Sequence, residues 1–322
     1  MRLSRFAFSA LVGALHCCAF AEFSFKDDGA RLTVLENGEP VLVYNYARVP
    51  PPEGVEEWYG RACYVHPLFG LDGDVLTEDY PEDHYHHRGV YWAWPYSRRG
   101  DRRMDVWLSN DVHQHHQEFL DRQADAAKAE VAVRNVWTFD DAPEDPVVRE
   151  TIRLTVHPAD DRGRAVDFHL AFRNVSDELV TIQGQQAGNK GYGGFCLRPD
   201  STRKPFRFTS AEGTHTKDAL RVESAWGDVS SRIKPGDAVS GVAVFQHPGN
   251  PGYPHPGWLF RHYGFLGASW PHVESYAVAP GASVDLRYRL FVHRGTAEEA
   301  NVAGAFAEYT ASATSEQDDT DD

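Results

Sequence analysis

The segments AEVAVRNVWTF, VVRETIRLTV, AVDFHLAFRN, GVAVFQ and VDLRYRLFV either alternate apolar and polar residues or run apolar with β-branched side chains. This period of two constrains the fold more than any other feature, because successive side chains of an extended backbone point to opposite faces. A chain patterned this way hides its apolar side only within a sheet. Each segment is bounded by Gly, Pro, Asp or Asn, and the connections DDAPEDP and HPADDRG carry turn chemistry. RLTVLENGEPVLVYNY adds a strand–turn–strand unit with Asn37-Gly38 as its hairpin turn. The tight spacing predicts an antiparallel all-β fold, a sandwich or barrel. No repeat of fixed period points to a propeller.

One helix is predicted, in TAEEANVAGAFAEYTASA after the last strand. Thr296 and Glu299 have the spacing of a capping box, and Glu298 suits the positive N-terminal end. Val302, Phe306 and Tyr309 share a face that would cover sheet surface or close an edge. No linker divides the 322 residues, so a single domain over 22–312 is expected, followed by an acidic tail, 313–322, whose like charges predict disorder.

The first 21 residues read as a secretory signal peptide. MRLSRF is basic, AFSALVGALHCCAF is apolar and too short to span a membrane, and Ala19–Ala21 form an A-x-A cleavage site. The mature chain would begin near Glu22, in the periplasm or outside the cell. Loss of Arg2 and Arg5 leaves 30 basic against 47 acidic side chains, a balance of −17. Such a chain lacks the basic face a nucleic-acid partner requires, and no later segment is long enough for a membrane span. Cys63 and Cys196 remain after cleavage. Export permits a disulfide between them, two separate buried thiols are the alternative, and neither has CxxC spacing.

DYPEDHYHHRG, Asp79 to Gly89, packs three histidines, three carboxylates and an arginine into eleven residues. If extended, it turns His84, His86 and Arg88 one way and Asp83, Tyr85 and His87 the other. His86 and His87 are candidate acid–base groups, because imidazole titrates near neutrality. Asp83, His84 and Arg88 are candidate substrate ligands, with Arg88 able to fork onto a carboxylate. The aromatic run VYWAW follows, and Trp92 and Trp94 are expected to stack on a ring. Two other readings are open: the histidines stiffen the loop through hydrogen bonds to backbone, or His84, His86 and His115 bind a metal. The last draws on VHQHHQE, where His113 and His115 share one strand face. No HExxH or equivalent spacing is present, and neither a metal nor another cofactor is expected.

NKGYGGFCLRP supplies a second constellation. Lys190 and Tyr192 suit a base–acid pair for abstracting a proton beside a carbonyl or carboxylate, with Arg198 to neutralise developing charge. A glycine-rich turn with an exposed lysine is the alternative. The glycines match neither a P-loop nor GxGxxG. FQHPGNPGYPHPGWLFRHYG, 245–264, is a third: His247 is a candidate substrate ligand, and Arg261 and His262 are candidates for a cleft rim. No GxSxG elbow appears, and carboxylates are too numerous to select a glycosidase pair from sequence.

Together, YVHPLFGLDGDVLTEDYPEDHYHHRGVYWAW, NKGYGGFCLRP and VAVFQHPGNPGYPHPGWLFRHYGFLGASWP…LRYRLFVHRG resemble the bacterial family called methane oxygenase PmoA-like, a family of unknown function. One departure is Tyr85, where the family motif more often reads proline, as DHPHHRG. A true methane monooxygenase subunit is a membrane protein, and this chain has no membrane span. The resemblance implies a secreted or periplasmic sandwich similar to the galactose-mutarotase-like supersandwich. Its polar motif positions fall on Asp83, His84, His86, His87, Arg88, Lys190, Tyr192 and Arg198, with no settled role for any.

The expected function is therefore acid–base chemistry on a sugar or glycoside in polysaccharide breakdown: elimination, hydrolysis or epimerisation. The partner would be a small carbohydrate or an oligosaccharide. A non-catalytic carbohydrate-binding module and a metal-dependent enzyme are the alternatives. The first reading requires the segments around 83–88 and 190–198 to meet in one pocket.

Overall fold

A computed structural model describes residues 22–232, 234 and 236–318. The expected signal peptide, 1–21, lies outside the described residues, as do 319–322 of the acidic tail. Two nine-stranded antiparallel sheets form a β-sandwich, and a four-stranded sheet accompanies them. The front sheet runs in the order Phe23–Asp27, Arg31–Glu36, Glu39–Asn45, Tyr64–Leu68, Val90–Ala93, Gly194–Leu197, Phe265–Ala268, Trp258–Arg261, Ala219–Val222. The back sheet runs Gly213–His215, Arg207–Ser210, Trp226–Arg232, Val239–Gln246, Ser283–Arg294, Gly163–Asn174, Val148–Val156, Ala129–Phe139, Val112–Ala124.

The period of two is realised strand by strand. Val148–Val156 buries every second residue, and the register carries its apolar side into line with Gly163–Asn174 and Ala129–Phe139. The core lies between the sheets. Front-sheet Trp92, Trp94 and Phe195 meet back-sheet Phe168, Trp137 and Phe172, with ring centroids 5.1–6.3 Å apart. Full burial of such a side chain contributes about 1.5–3 kcal/mol.

A carboxylate sits inside this apolar layer. Glu150 is fully buried and accepts from Trp92 Nε1 at 2.9 Å, Trp137 Nε1 at 2.7 Å, Asn135 Nδ2 at 3.0 Å and Gln114 Nε2 at 3.0 Å. Burial raises its pKa, and the four donors pull it back without cancelling the shift.

The capping box forms, with Thr296 N–H donating to Glu299 Oε2 at 2.7 Å and Glu299 N–H to Thr296 Oγ1 at 3.4 Å. It closes a turn ahead of the helix, which runs Val302–Asp318. Helix therefore enters the segment expected to be a disordered tail. Phe306 and Tyr309 pack on Phe245, on the outer face of the back sheet. Cys63 and Cys196 are free, buried thiols. Among the described residues no helix is long and apolar enough to cross a membrane.

Candidate functional site

Four front-sheet strands, Val90–Ala93, Gly194–Leu197, Phe265–Ala268 and Trp258–Arg261, are consecutive neighbours. Alternation sends Trp92 and Phe195 into the core and leaves Tyr91, Cys196 and Phe265 on the outer face. Loops fold over that outer face and enclose a cavity of about 530 Å³. It is lined by His84, His86 and His87 from the turn before Val90–Ala93, and by Gln185, Lys190 and Tyr192 from the loop before Gly194–Leu197. Arg261 and Tyr263 join from the turn between the last two strands, and Tyr96, Arg103, Asp105 and Trp107 from the connection after Val90–Ala93. The segments around 84–87 and 190–192 thus open onto one hollow.

The histidine segment is not extended. His84 N–H donates to Pro81 O at 2.9 Å and His87 N–H to His84 O at 2.9 Å, making two successive turns. The expected alternation is overturned: all three imidazoles face one cavity. His84 stacks on His87 at 4.7 Å and on Tyr263 at 4.8 Å. His86 packs edge-on to His87 at 4.5 Å and touches Trp107 at 5.6 Å. Trp107 in turn lies 6.1 Å from the Tyr192 ring.

Among the described residues, no hydrogen bond or ion pair reaches the ring nitrogens of His86. Burial pushes its pKa down to about 3, helped by the neighbouring His84, Arg61, Arg88 and Arg198. Burial likewise pushes His87 well down, with His86 and Arg198 adding to it. Both rings are neutral at ordinary pH. Tyr192 presents the complementary group. Its hydroxyl oxygen accepts from Arg261 Nη1 and, more loosely, from the Tyr263 hydroxyl at 3.5 Å, so its own proton remains to be donated. Arg261 is tied to Asp218 by its Nε at 2.8 Å.

The glycines of NKGYGG let the second segment approach this closely. Gly191 has φ +73, and a Cβ there would lie 1.9 Å from His272 Cδ2. Gly194 has φ +88, and its Cβ would lie 2.5 Å from Ala268 O. No side chain fits either position.

Several expected substrate ligands sit elsewhere. Trp92 and Trp94 offer no stacking face: both are buried in the core, and their indole N–H groups donate to Glu150 and to Trp270 O at 2.7 Å. Arg88 is fully buried, donates to Tyr85 O at 2.6 Å and His87 O at 2.7 Å, and lies 3.5 Å over the Tyr80 ring. It ties the turn together from behind. Arg198 is also buried; it donates to Glu78 at 3.2 Å and Asp83 at 2.7 Å and reaches 3.4 Å from His87 Nδ1. It therefore braces the imidazole wall and leaves no charge in the cleft. Asp83 is the brace's other half: burial works against its charge, but Arg198 and His84 win and lower its pKa. His247 lines a different cavity, of about 310 Å³, between the back sheet and the helix, where Gly249 N–H donates to its Nδ1 at 2.9 Å.

His113, His115 and His116 do not line the cleft. His113 pairs with Asp140 at 2.7 Å, and His116 meets Asn135 at 3.2 Å. Among the described residues no three His, Cys, Asp or Glu side chains form a group able to hold a metal ion. Sequence reasoning missed Arg103, Asp105 and Trp107. Their signal was GDRRMDVWLSND, a short charged loop one strand beyond the histidines.

Residues 31–307 match the model of a family described as a family of unknown function, DUF6807. The chain belongs to that family. Its description matches the coarser part of the resemblance above; the methane-oxygenase name is not part of it. Comparison with curated proteins found no match. Solved structures of similar sandwich build include a GH36 α-galactosidase from Geobacillus stearothermophilus, at 8% identity and TM-score 0.38, over 85% of this chain and 41% of that one. A putative aldose 1-epimerase from Escherichia coli K12 aligns at 8% identity and TM-score 0.38, over 85% of this chain and 100% of that one. A heparan sulfate lyase mutant from Pedobacter heparinus aligns at 7% identity and TM-score 0.37, over 86% and 35%. This DUF6807 chain thus spans well under half of the galactosidase and the lyase.

Proposed function

We propose that the cleft binds a sugar or glycoside and transforms it by acid–base chemistry, outside the cytoplasm after loss of residues 1–21. One observation carries the reading: His86 faces a cavity as a neutral imidazole with no protein partner, in a cleft that also holds the donor-ready hydroxyl of Tyr192. His86 is half-buried at the cavity wall, and among the described residues nothing meets its ring nitrogens, so they are free to contact a ligand there. Trp107, Tyr96 and Tyr263 supply flat apolar faces, and Gln185, Lys190 and Arg103 supply polar contacts, the mixture a sugar ring requires. In the reaction His86 takes a proton from the substrate, and Tyr192, its oxygen held by Arg261, gives one to the oxygen that gains charge. His84 and His87, stacked on each other, hold the base by edge-on contacts, and Arg198 holds His87.

The low basicity of His86 favours a second reading, binding without turnover. A ring held near 3 accepts a hydrogen bond readily but takes a proton poorly at neutral pH. A screen of oligosaccharides read by mass spectrometry for cleavage, water loss or isomerisation separates the two. Turnover that Tyr192→Phe lowers about a hundredfold or more, with sugar affinity retained, supports the enzyme. Sugar binding with no product from any glycan supports the module. No interaction with any glycan removes both.

A further inference from the structure

Resting on that reading of the cleft, we propose that the sugar carries an anionic substituent, a carboxylate or a sulfate ester, and that Lys190 receives it. Among the residues lining the cavity, three cations, Arg103, Lys190 and Arg261, face the single carboxylate of Asp105. Two of the three are already engaged. Arg103 donates to Asp105 at 2.8 Å and Pro95 O at 3.0 Å while its guanidinium lies 4.5 Å over Tyr96, and Arg261 is bound to Asp218 and Tyr192. Lys190 is exposed, and among the described residues no carboxylate meets its ammonium.

A further positive charge stands behind the wall. Arg61 is buried and hydrogen-bonds to the carbonyls of Val106 and Trp107 and to Ser109 Oγ; among the described residues it makes no salt bridge, its Nη1 has no hydrogen-bond partner, and its charge is felt by the Asp105 carboxylate, whose pKa it helps to lower against burial. Burial and the neighbouring Arg88 lower its pKa to about 10, which still leaves it charged at neutral pH. The carbonyls that hold Arg61 belong to the loop carrying Trp107, so its charge lies against the cleft lining. In a chain of net charge −15, an anion approaches only where the local field is positive. The cleft, with Lys190 in front, Arg61 behind and Asp105 the single lining carboxylate to offset them and Arg103, is such a place.

The test is calorimetric binding to the mature chain of matched probes: methyl β-D-glucuronide, methyl β-D-glucoside and glucose 6-sulfate, together with the corresponding galacto compounds and trisaccharides. At least tenfold tighter binding of an acidic probe than of its neutral partner is expected, as for one charge-assisted contact. Raising salt from 20 to 500 mM should shrink that ratio toward one, because screening weakens exposed ion pairs. Lys190→Gln should shrink it at low salt. The carboxylate and sulfate arms decide which anion is read. Neutral probes that bind as tightly as acidic ones, or a preference that Lys190→Gln leaves intact, overturn the inference while the sugar site stands. Binding of no probe in any arm overturns both.

Discussion

Two regions of this sandwich gather polar side chains on opposite faces of the same four-residue strand, and they treat them oppositely. On the core face below Val90–Ala93, Glu150 has four N–H donors and no solvent. On the outer face, His86 touches the rings of His84, His87 and Trp107, faces the cavity, and among the described residues has no hydrogen-bond partner. The first region satisfies its polar atoms within the protein, which serves stability. The second leaves donors and acceptors open to the cavity, as the proposed binding requires. Charge burial alone does not distinguish them; satisfaction does.

That contrast breaks most readily at Glu150. Glu150→Ala would strand four buried donors and open a void, and should cost about 3–5 kcal/mol, the range for removing one partner of a buried charged network. Thermal or denaturant unfolding reads it. A variant that melts like the wild type would show that water reaches the site and that the core is not sealed. His86→Ala is the mirror experiment. It should change stability by less than about 1 kcal/mol, having no hydrogen bond to lose, yet lower turnover about a hundredfold or more. A large drop in stability would put His86 among the structural groups and remove it from the mechanism.

The same contrast explains what the sequence revealed. The architecture was legible because alternation is a property of each strand by itself, as in Val148–Val156. Alternation within VYWAW also held the fate of Trp92 and Trp94: residues two apart share a face, and the face that reaches Phe168 and Trp137 is the core. The platform reading counted aromatics and neglected their side. Arg88 and Arg198 eluded sequence reasoning for a different reason. An arginine that ties a turn and one that binds a substrate have the same letter, and only the carbonyls of Tyr85 and His87 and the carboxylates of Glu78 and Asp83 tell them apart. Asp105 and Trp107 reach the cleft through a loop whose path depends on contacts between distant segments.

Acid should expose the cost of keeping the imidazoles neutral. His86 is held at about 3 and His87 well below its ordinary value, whereas in the unfolded chain both titrate near 6.5. Below that pH the unfolded chain takes up protons that the fold refuses, so stability falls from about pH 6.5 toward 3. His255 and His247, each held at about 4 chiefly by burial, add to the same slope. His293 runs the other way. Burial opposes its charge, but the Asp228 carboxylate at 2.7 Å outweighs it and raises the pKa, so its contribution is present below 6.5 and lost as pH rises through the raised value. Melting temperatures from pH 7 to 4 should decline in the wild type and decline less in His86→Ala. Equal slopes would mean that the ring is solvated and the cleft wetter than its lining implies.

The smallest effect is expected at Tyr85, within the turn that carries the histidines. The turn His84–His87, closed by His87 N–H to His84 O at 2.9 Å, places Tyr85 at its second position, where proline is favoured because its fixed φ suits the turn. Tyr85 donates no backbone hydrogen bond within this turn and is not among the positive-φ residues, so proline would forfeit nothing there. It would lose the ring contact with Tyr59 at 6.1 Å, about 0.5–1.5 kcal/mol, and gain about 0.4–1 kcal/mol from a stiffer unfolded chain. Tyr85→Pro should therefore move stability by less than about 1 kcal/mol in either direction, with sugar affinity unchanged. A sharp loss of affinity at constant stability would make the Tyr59–Tyr85 pair part of the binding surface. The cleft would then extend beyond its imidazole wall, along aromatic side chains that lead to the exposed Trp58.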